Sequence, residues 1–118
     1  MNLKEIMQFN NFVVVGDTIN EEKYACKIKH ELMNNHYNVE SVGKELLSIN
    51  DVSFDIDVLD LCIHPAKGIK LLEENNKLIK CVVIQPGAES EEIINYLKDN
   101  KIDYIEGCLL VGLKLYKK

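Results

Sequence analysis

The segment Phe12-Val13-Val14-Val15-Gly16-Asp17-Thr18 decides the fold of this chain. Four consecutive apolar residues are typical of a strand buried on both faces, and a glycine ends the run. An amphipathic pattern starts near Glu21, so the segment predicts a strand, a sharp turn and a helix. Such a turn presents backbone N–H groups and the positive end of a helix dipole, which favour a bound phosphate. The glycine pattern of NAD sites is incomplete after Gly16, which argues for a different phosphate-bearing ligand.

Length and charge limit the remaining possibilities. The chain has 118 residues, 47% of them hydrophobic, which suffices for one core, and we expect a single domain over residues 1–118. The formal charge of −5 argues against nucleic acid and anionic membrane as partners, because both require a basic face. All 14 basic residues are lysines, so an anion must be held by lysine and backbone amides. The first residues lack a secretory pattern, which predicts a cytoplasmic protein.

The four cysteines, Cys26, Cys62, Cys81 and Cys108, are widely spaced and form no Cys-x-x-Cys pair. In a reducing compartment such thiols usually pack as small hydrophobic groups. Cys62 and His64 are two residues apart in one strand, but two ligands do not make a metal site. No metal site is predicted.

Strand-like and helix-like patterns alternate along the chain. The apolar runs predict strands over residues 12–16, 37–42, 56–63, 80–85 and 102–105. Helices are predicted over residues 21–34, with Tyr24, Ile28 and Leu32 on the inner face, and after Pro65 and Ser90. This order predicts an α/β, Rossmann-like three-layer domain with a five-stranded, mainly parallel sheet. Residues 109–115 form an apolar tail, a candidate surface for a partner or a homodimer.

Two acids interrupt the third predicted strand. Asp57 and Asp60 are three residues apart, so they point to opposite faces and cannot form a paired acid/base site. We expect both to be hydrogen-bonded structural acids.

In open parallel sheets, ligands bind beyond the carboxyl ends of the strands. At those ends the predicted strands place the following segments: Gly16-Asp17-Thr18, Gly43-Lys44, His64-Pro65, Gln85-Pro86-Gly87 and Gly107-Cys108.

At these loops the chain resembles the small CoA-binding proteins, which are free-standing Rossmann-type domains similar to the CoA-binding domain of succinyl-CoA synthetase. The matching segments cover nearly the whole chain and are Val15-Gly16-Asp17-Thr18 with Lys23-Tyr24, Tyr37-Asn38-Val39, residues 56–61, Val82-Val83-Ile84-Gln85 with Gly87, and Gly107-Cys108. The chain departs from the family after the second strand, where Glu40-Ser41-Val42-Gly43-Lys44 stands in place of a Pro-Val-Asn-Pro turn.

The resemblance implies a site for CoA or an acyl-CoA at these strand ends. The residues implied at the pyrophosphate are Gly16, Asp17 and Thr18, through backbone N–H groups, and Lys23. Those implied at the adenosine are Gly43 and Lys44, and those implied along the pantetheine are His64, Pro65, Gln85 and Gly87. Cys108 either packs as an ordinary core thiol or meets the CoA thiol as a mixed disulfide.

Each of these residues also has an ordinary structural explanation, for example as a turn glycine, a helix cap, a surface lysine or, for Gln85, a link between neighbouring loops. Three functions therefore remain open. The first is a non-catalytic CoA-binding protein, and the second is an enzyme in which His64 or Cys108 acts on a thioester. The third is a regulatory or protein-interaction module that has kept the fold and lost the ligand.

Overall fold

The computed structural model describes residues 1–118 as five strands and five α-helices. In chain order these are α1 (Leu3–Ile6), β1 (Asn11–Gly16), α2 (Tyr24–Asn34), β2 (Asn38–Gly43), β3 (Ile56–Cys62), α3 (Pro65–Glu74), β4 (Ile79–Ile84), α4 (Glu91–Asp99), β5 (Asp103–Glu106) and α5 (Leu109–Tyr116). A short 3-10 turn at Ile49–Asp51 lies between β2 and β3. None of the helices has the length and apolar composition needed to cross a membrane.

All five strands run parallel in the order β2-β1-β3-β4-β5. Gly16, the last residue of β1, pairs with Gly43 on one side and with Cys62 on the other. The strand order reverses between β1 and β3, so the connections that leave these strands diverge and open a crevice at their carboxyl ends. This confirms the predicted Rossmann-like parallel sheet.

Helices cover both faces of the sheet, which confirms the three-layer architecture. One apolar cluster joins α3 and α4 to the sheet through Leu72 and Leu97, and we call this side the α3 face. The second cluster joins α1, α2 and α5 to the sheet through side chains such as Leu32 and Leu109, and we call this side the α2 face. Central strands buried on both sides explain the nearly continuous apolar runs of β1 and β4.

Two helices were not predicted from the sequence. The first, α1, is a single turn, and the second, α5, comprises the apolar tail. Leu109 and Leu113 of α5 are buried in the α2 face. Gly112 lets α5 approach α1, because a Cβ atom added there would lie 3.0 Å from the sulfur of Met7. Part of the tail is thus used inside the protein's own core, while Val111 and Leu115 of the same helix remain exposed.

The two acids of β3 behave differently. Asp57 accepts hydrogen bonds from the backbone N–H groups of Asn10 and Asn11 and pairs with Lys80 at 2.8 Å. Partial burial raises the pKa of Asp57, but the Lys80 and backbone hydrogen bonds outweigh it and hold the pKa below its usual range. Asp60 is fully buried and has no hydrogen-bond partner, so the predicted hydrogen bonding is wrong for this residue. Burial raises the pKa of Asp60 well above its usual range.

Candidate functional site

Three adjoining cavities form one groove at the carboxyl ends of β1, β3 and β4. The α2 end of the groove, about 280 Å³, is bounded by Asp17, Lys23 and Tyr24. The middle, about 210 Å³, shares Cys62, Ile63 and His64 with the α2 end and continues to Gln85 and Gly87. The α5 end, about 210 Å³, is lined by Tyr24, Gln85, Pro86 and Cys108. These shared walls make the groove continuous from the start of α2 to the start of α5.

Gly16 brings β1 and β3 together at the floor of this region. Its φ of +156° and its closeness to β3 leave no room for a side chain, because a Cβ atom would lie 2.3 Å from the carbonyl oxygen of Cys62. The glycine is therefore required by the close approach of two backbones. Gly16 does not itself line the groove.

The side chains of Asp17 and Thr18 are held by hydrogen bonds within the protein. Asp17 Oδ1 accepts from the N–H groups of Ile19 and Asn20, at 3.1 Å each. The hydrogen bond from Asn20 and, to a smaller extent, that from Ile19 lower the pKa of Asp17. The acid therefore stays ionised where it borders the groove. The hydroxyl of the buried Thr18 donates to Glu45 Oε1 at 3.0 Å, and Thr18 does not line the groove.

The helix α2 begins at Tyr24, three residues later than the sequence pattern predicts. Its N-cap is Lys23, whose side chain makes no capping bond, and the first turn contains no acid. By contrast, the first turn of α4 is capped by Ser90 and contains Glu91 and Glu92. The positive end of the α2 dipole is therefore not compensated by an acid in the helix's own first turn, and it borders the groove beside Lys23.

The loop after β2 lies beside the groove and does not line it. Gly43 has a φ of +127° and packs against the backbone of Gly16. Lys44 is exposed, and its charge is among the effects that lower the pKa of Asp17, which places it on the same side of the molecule. Sequence analysis missed Glu45, which accepts hydrogen bonds from Thr18 and from Lys29 and fastens this loop to α2.

His64 and Pro65 begin α3. His64 Nδ1 accepts a hydrogen bond from the N–H of Ala66 at 3.1 Å, so its ring serves as the N-cap. Pro65 takes the first helical position, as the sequence predicts, and lies outside the groove. The His64 ring lines the groove but has no carboxylate partner to orient it as a base.

Gln85 is the most informative side chain of the groove. It is 95% buried, and its Oε1 accepts a hydrogen bond from the N–H of Leu109 at 2.8 Å. Because only the oxygen can accept this proton, the orientation of the amide is determined. Its NH₂ group makes no hydrogen bond within the chain and belongs to the wall of the middle and of the α5 end. Gln85 thus offers two free donors to whatever occupies the groove.

Two thiols line the groove. Cys62, at the end of β3, is partly buried, and burial raises its pKa to about 12, with further contributions from Asp60 and Cys108. Cys108 is partly exposed and is the N-cap of α5, where its sulfur makes no capping bond. No set of three His, Cys, Asp or Glu side chains is placed to hold a metal ion.

The groove brings together about half of the residues predicted from the sequence. Those that line it are Asp17, Lys23, His64, Gln85, Gly87 and Cys108. Those that lie outside it are Gly16, Thr18, Gly43, Lys44 and Pro65. Sequence analysis missed Tyr24, which was assigned to the inner face of its helix and is 62% exposed. Cys62, Ile63 and Ala88 also line the groove and were not predicted to do so, and Pro86 was predicted only as part of a strand-end segment.

Comparison with solved structures shows the same fold in small proteins. A conserved hypothetical protein from Pyrococcus furiosus has 29% sequence identity and a TM-score of 0.76, covering 87% of this chain and 98% of that one. A hypothetical protein from Pyrococcus horikoshii has 20% identity and a TM-score of 0.85, covering 97% and 89%. A Thermus thermophilus protein has 21% identity and a TM-score of 0.81, covering 97% and 98%. The last two likenesses concern the fold alone. A comparison with curated proteins found no match.

The family model described as "CoA binding domain" matches residues 10–114, which is nearly the entire chain. This match confirms the resemblance inferred from the strand-end loops. The chain therefore belongs to the CoA binding domain family.

Proposed function

We propose that this chain binds CoA or an acyl-CoA in the groove, as a non-catalytic, single-domain protein of the cytoplasm. The observation that carries the proposal is Gln85, a buried amide whose oxygen is engaged by Leu109 and whose two N–H donors face the groove. The NH₂ group makes no hydrogen bond within the chain, so a ligand that accepts from it gains a hydrogen bond worth about 0.5–1.5 kcal/mol net. The amide oxygens of pantetheine are acceptors of the right kind.

The pyrophosphate is assigned to the α2 end of the groove. There the uncapped helix terminus and Lys23 are the groups that favour an anion. Asp17 borders the same space, but its Oδ1 is turned to the backbone of Ile19 and Asn20. A pyrophosphate on the helix-end amides is thus opposed by one nearby acid and supported by Lys23 and the dipole.

The adenosine is assigned to the side of β2, next to Gly43 and Lys44. Lys44 is exposed and makes no ion pair, so it remains available for the 3′-phosphate of CoA. The uncharged α5 end, with Tyr24, Gln85, Pro86 and Cys108, then receives the pantetheine. Charge thus orients the ligand from Lys44 through Lys23 to Cys108.

A catalytic role for His64 has less support. A general base needs an unshared nitrogen within reach of the substrate proton. Nδ1 of His64 already accepts from Ala66, and no carboxylate contacts the ring. The raised pKa of Cys62 makes it a poor nucleophile at neutral pH. Neither His64 nor Cys62 therefore favours a catalytic function.

The test is the substitution Gln85→Glu, read by isothermal titration with CoA. A glutamate keeps an oxygen for the Leu109 N–H and replaces the two free donors by an acceptor. We expect CoA affinity to fall at least about tenfold, equivalent to about 1.4 kcal/mol. Asn95→Asp, on the exposed side of α4, makes the same change of charge away from the groove and is the matched control.

Unchanged CoA affinity in Gln85→Glu would remove Gln85 from the site. If the wild-type protein shows no heat of binding and no thermal shift with CoA, the proposed function itself is wrong. A ligand at about 100 times its dissociation constant adds roughly 2.7 kcal/mol of stability, so a shift of several degrees is expected for a protein of this size.

A further inference from the structure

At the α5 end of the groove, the thiol of Cys108 lies where we expect the thiol of a bound CoA molecule. Cys108 lines this end together with Tyr24, Gln85 and Pro86, and none of the four is charged. The anion-favouring groups, Lys23 and the start of α2, belong to the adjoining α2 end, which shares Tyr24 with this space. A CoA molecule bound with its pyrophosphate there directs the far end of its pantetheine, which is the thiol, toward Cys108.

Gln85 marks the same space as a ligand site independently of the cysteine. Its side chain is 95% buried, and its unpartnered NH₂ group belongs to the wall that Cys108 shares. Its oxygen accepts from the N–H of Leu109, the first residue of the helix that Cys108 caps. A ligand that hydrogen-bonds Gln85 therefore occupies a space that Cys108 also lines.

The other three cysteines are unsuited to reaction at this place. Cys26 and Cys81 are buried, and the Cys81 sulfur donates to the carbonyl oxygen of Asp57 at 3.5 Å. Cys62 does line the groove, but burial raises its pKa to about 12, and disulfide exchange proceeds through the thiolate. Cys108 is partly exposed, and its sulfur has no hydrogen-bond partner in the chain.

We propose that Cys108 is a thiol–disulfide exchange site that takes CoA from a CoA disulfide and holds it as a mixed disulfide. The Cys108 thiolate attacks one sulfur of the CoA disulfide, whose S–S bond breaks as the bond from Cys108 to CoA forms. The second CoA leaves as a thiolate and takes up the proton that Cys108 released. No other oxidant is needed, since the incoming disulfide is reduced as Cys108 is oxidised.

This inference rests on the proposed CoA site and adds a chemical step to it. The groove makes the exchange selective for a CoA disulfide. Lys23 binds its pyrophosphate and Gln85 binds its pantetheine amides, and a disulfide that lacks a pyrophosphate and these amides is not held. Each 1.4 kcal/mol of such binding raises the reaction rate at low disulfide concentration about tenfold. The protein would in this way store CoA, or register the oxidation state of the CoA pool.

The experiment is intact-protein mass spectrometry under non-reducing conditions after incubation with CoA disulfide. Wild type is compared with Cys108→Ser and with Cys62→Ser, the matched change at the other groove thiol. Serine is a good N-cap residue, so Cys108→Ser is expected to fold. Glutathione disulfide at equal concentration serves as the comparison reagent, and titration of reduced CoA into each variant measures reversible binding separately.

We expect one CoA adduct per chain in wild type and Cys62→Ser, none in Cys108→Ser, release by dithiothreitol, and adduct formation at least about tenfold faster than with glutathione disulfide. An adduct that persists in Cys108→Ser, or equal rates for the two disulfides, overturns the inference. Reversible CoA binding without any adduct overturns it and leaves the proposed function intact. If neither an adduct nor reversible CoA binding is found, both this inference and the proposed function are wrong.

Discussion

Asp60 is a carboxylic acid with no partner inside an apolar sheet. It lies between Val14 and Val83 of the neighbouring strands and is fully buried. Burial penalises the charged form, which raises its pKa well above the usual range. The folded protein therefore retains a proton at pH values where the unfolded chain has released it. The contribution of Asp60 to stability must fall as the pH rises above about 4 toward the raised pKa.

The substitution Asp60→Asn removes this titration. We expect the variant and wild type to have similar stability near pH 4, and the variant to be more stable by at least about 1 kcal/mol at pH 8. Urea denaturation at several pH values measures the difference. Asp57→Asn is the matched control, because Asp57 is paired with Lys80 and its pKa is lowered. That change should destabilise the protein by about 1 kcal/mol at neutral pH. A constant difference between Asp60→Asn and wild type across the pH range would contradict the argument.

Gly16 is the second residue whose role follows from its immediate surroundings. The substitution Gly16→Ala brings a Cβ atom against the carbonyl of Cys62, and neither backbone can move without disturbing the β1–β3 pairing. We expect a loss of roughly 2–4 kcal/mol in the free energy of unfolding, measured by denaturant titration. In Gly107→Ala the nearest atom is 3.9 Å away, in the side chain of Ile105, so this control should change stability by less than about 0.5 kcal/mol. Equal losses in the two variants would contradict the steric argument.

Among the elements, α5 connects the core to the groove. Leu109 is buried in the α2 face while its N–H fixes the amide of Gln85. Leu109→Ala should cost about 2–5 kcal/mol, because a buried leucine loses contacts and leaves a cavity. Leu115→Ala, in the same helix but 60% exposed, is the control and should cost less than about 0.5 kcal/mol. Denaturant titration measures both. If the two changes cost the same, α5 is not docked as described.

The helix starts show what sequence patterns can and cannot predict. The apolar runs of the central strands β1, β3 and β4 predict them well, since burial on both faces leaves few polar positions. The start of α2 was placed too early, because the side chains of Asp17 and Asn20 hydrogen-bond nearby backbone N–H groups and form a local turn instead of a helix. The spacing of Tyr24, Ile28 and Leu32 predicts one inner face, but Tyr24 is the first residue of the helix and is 62% exposed. The helix α5 was missed since its run of apolar residues shows no polar face.

The position of the groove could be predicted from the sequence, but the side-chain contacts around it could not. The carboxyl ends of parallel strands lie at one edge of the sheet, which predicts that Asp17, His64 and Gln85 lie in one region. In the structure all three line the groove. No sequence pattern indicates that Thr18 donates to Glu45, because that contact depends on how the loop after β2 folds back. The unpartnered donors of Gln85 likewise depend on the tertiary contact with Leu109.

At the scale of the whole molecule, the two apolar clusters share one sheet. Strands β1, β3 and β4 are buried on both sides, so neither cluster can open without exposing the strands to which the other is packed. We therefore expect the two faces to unfold together, as one cooperative unit over residues 1–118. Leu32 of α2 and Leu97 of α4 are both fully buried and offer a matched pair of substitutions.

Hydrogen exchange tests this coupling. Leu32→Ala should destabilise the fold by at least about 2 kcal/mol, which accelerates exchange through global unfolding about 30-fold. In a single cooperative unit the slowest amides of α4, on the opposite face, accelerate by the same factor as those of β1. Leu97→Ala should produce the reciprocal result. Acceleration confined to the face that carries the substitution would mean that the clusters open separately, and the chain would then comprise two units that share a sheet.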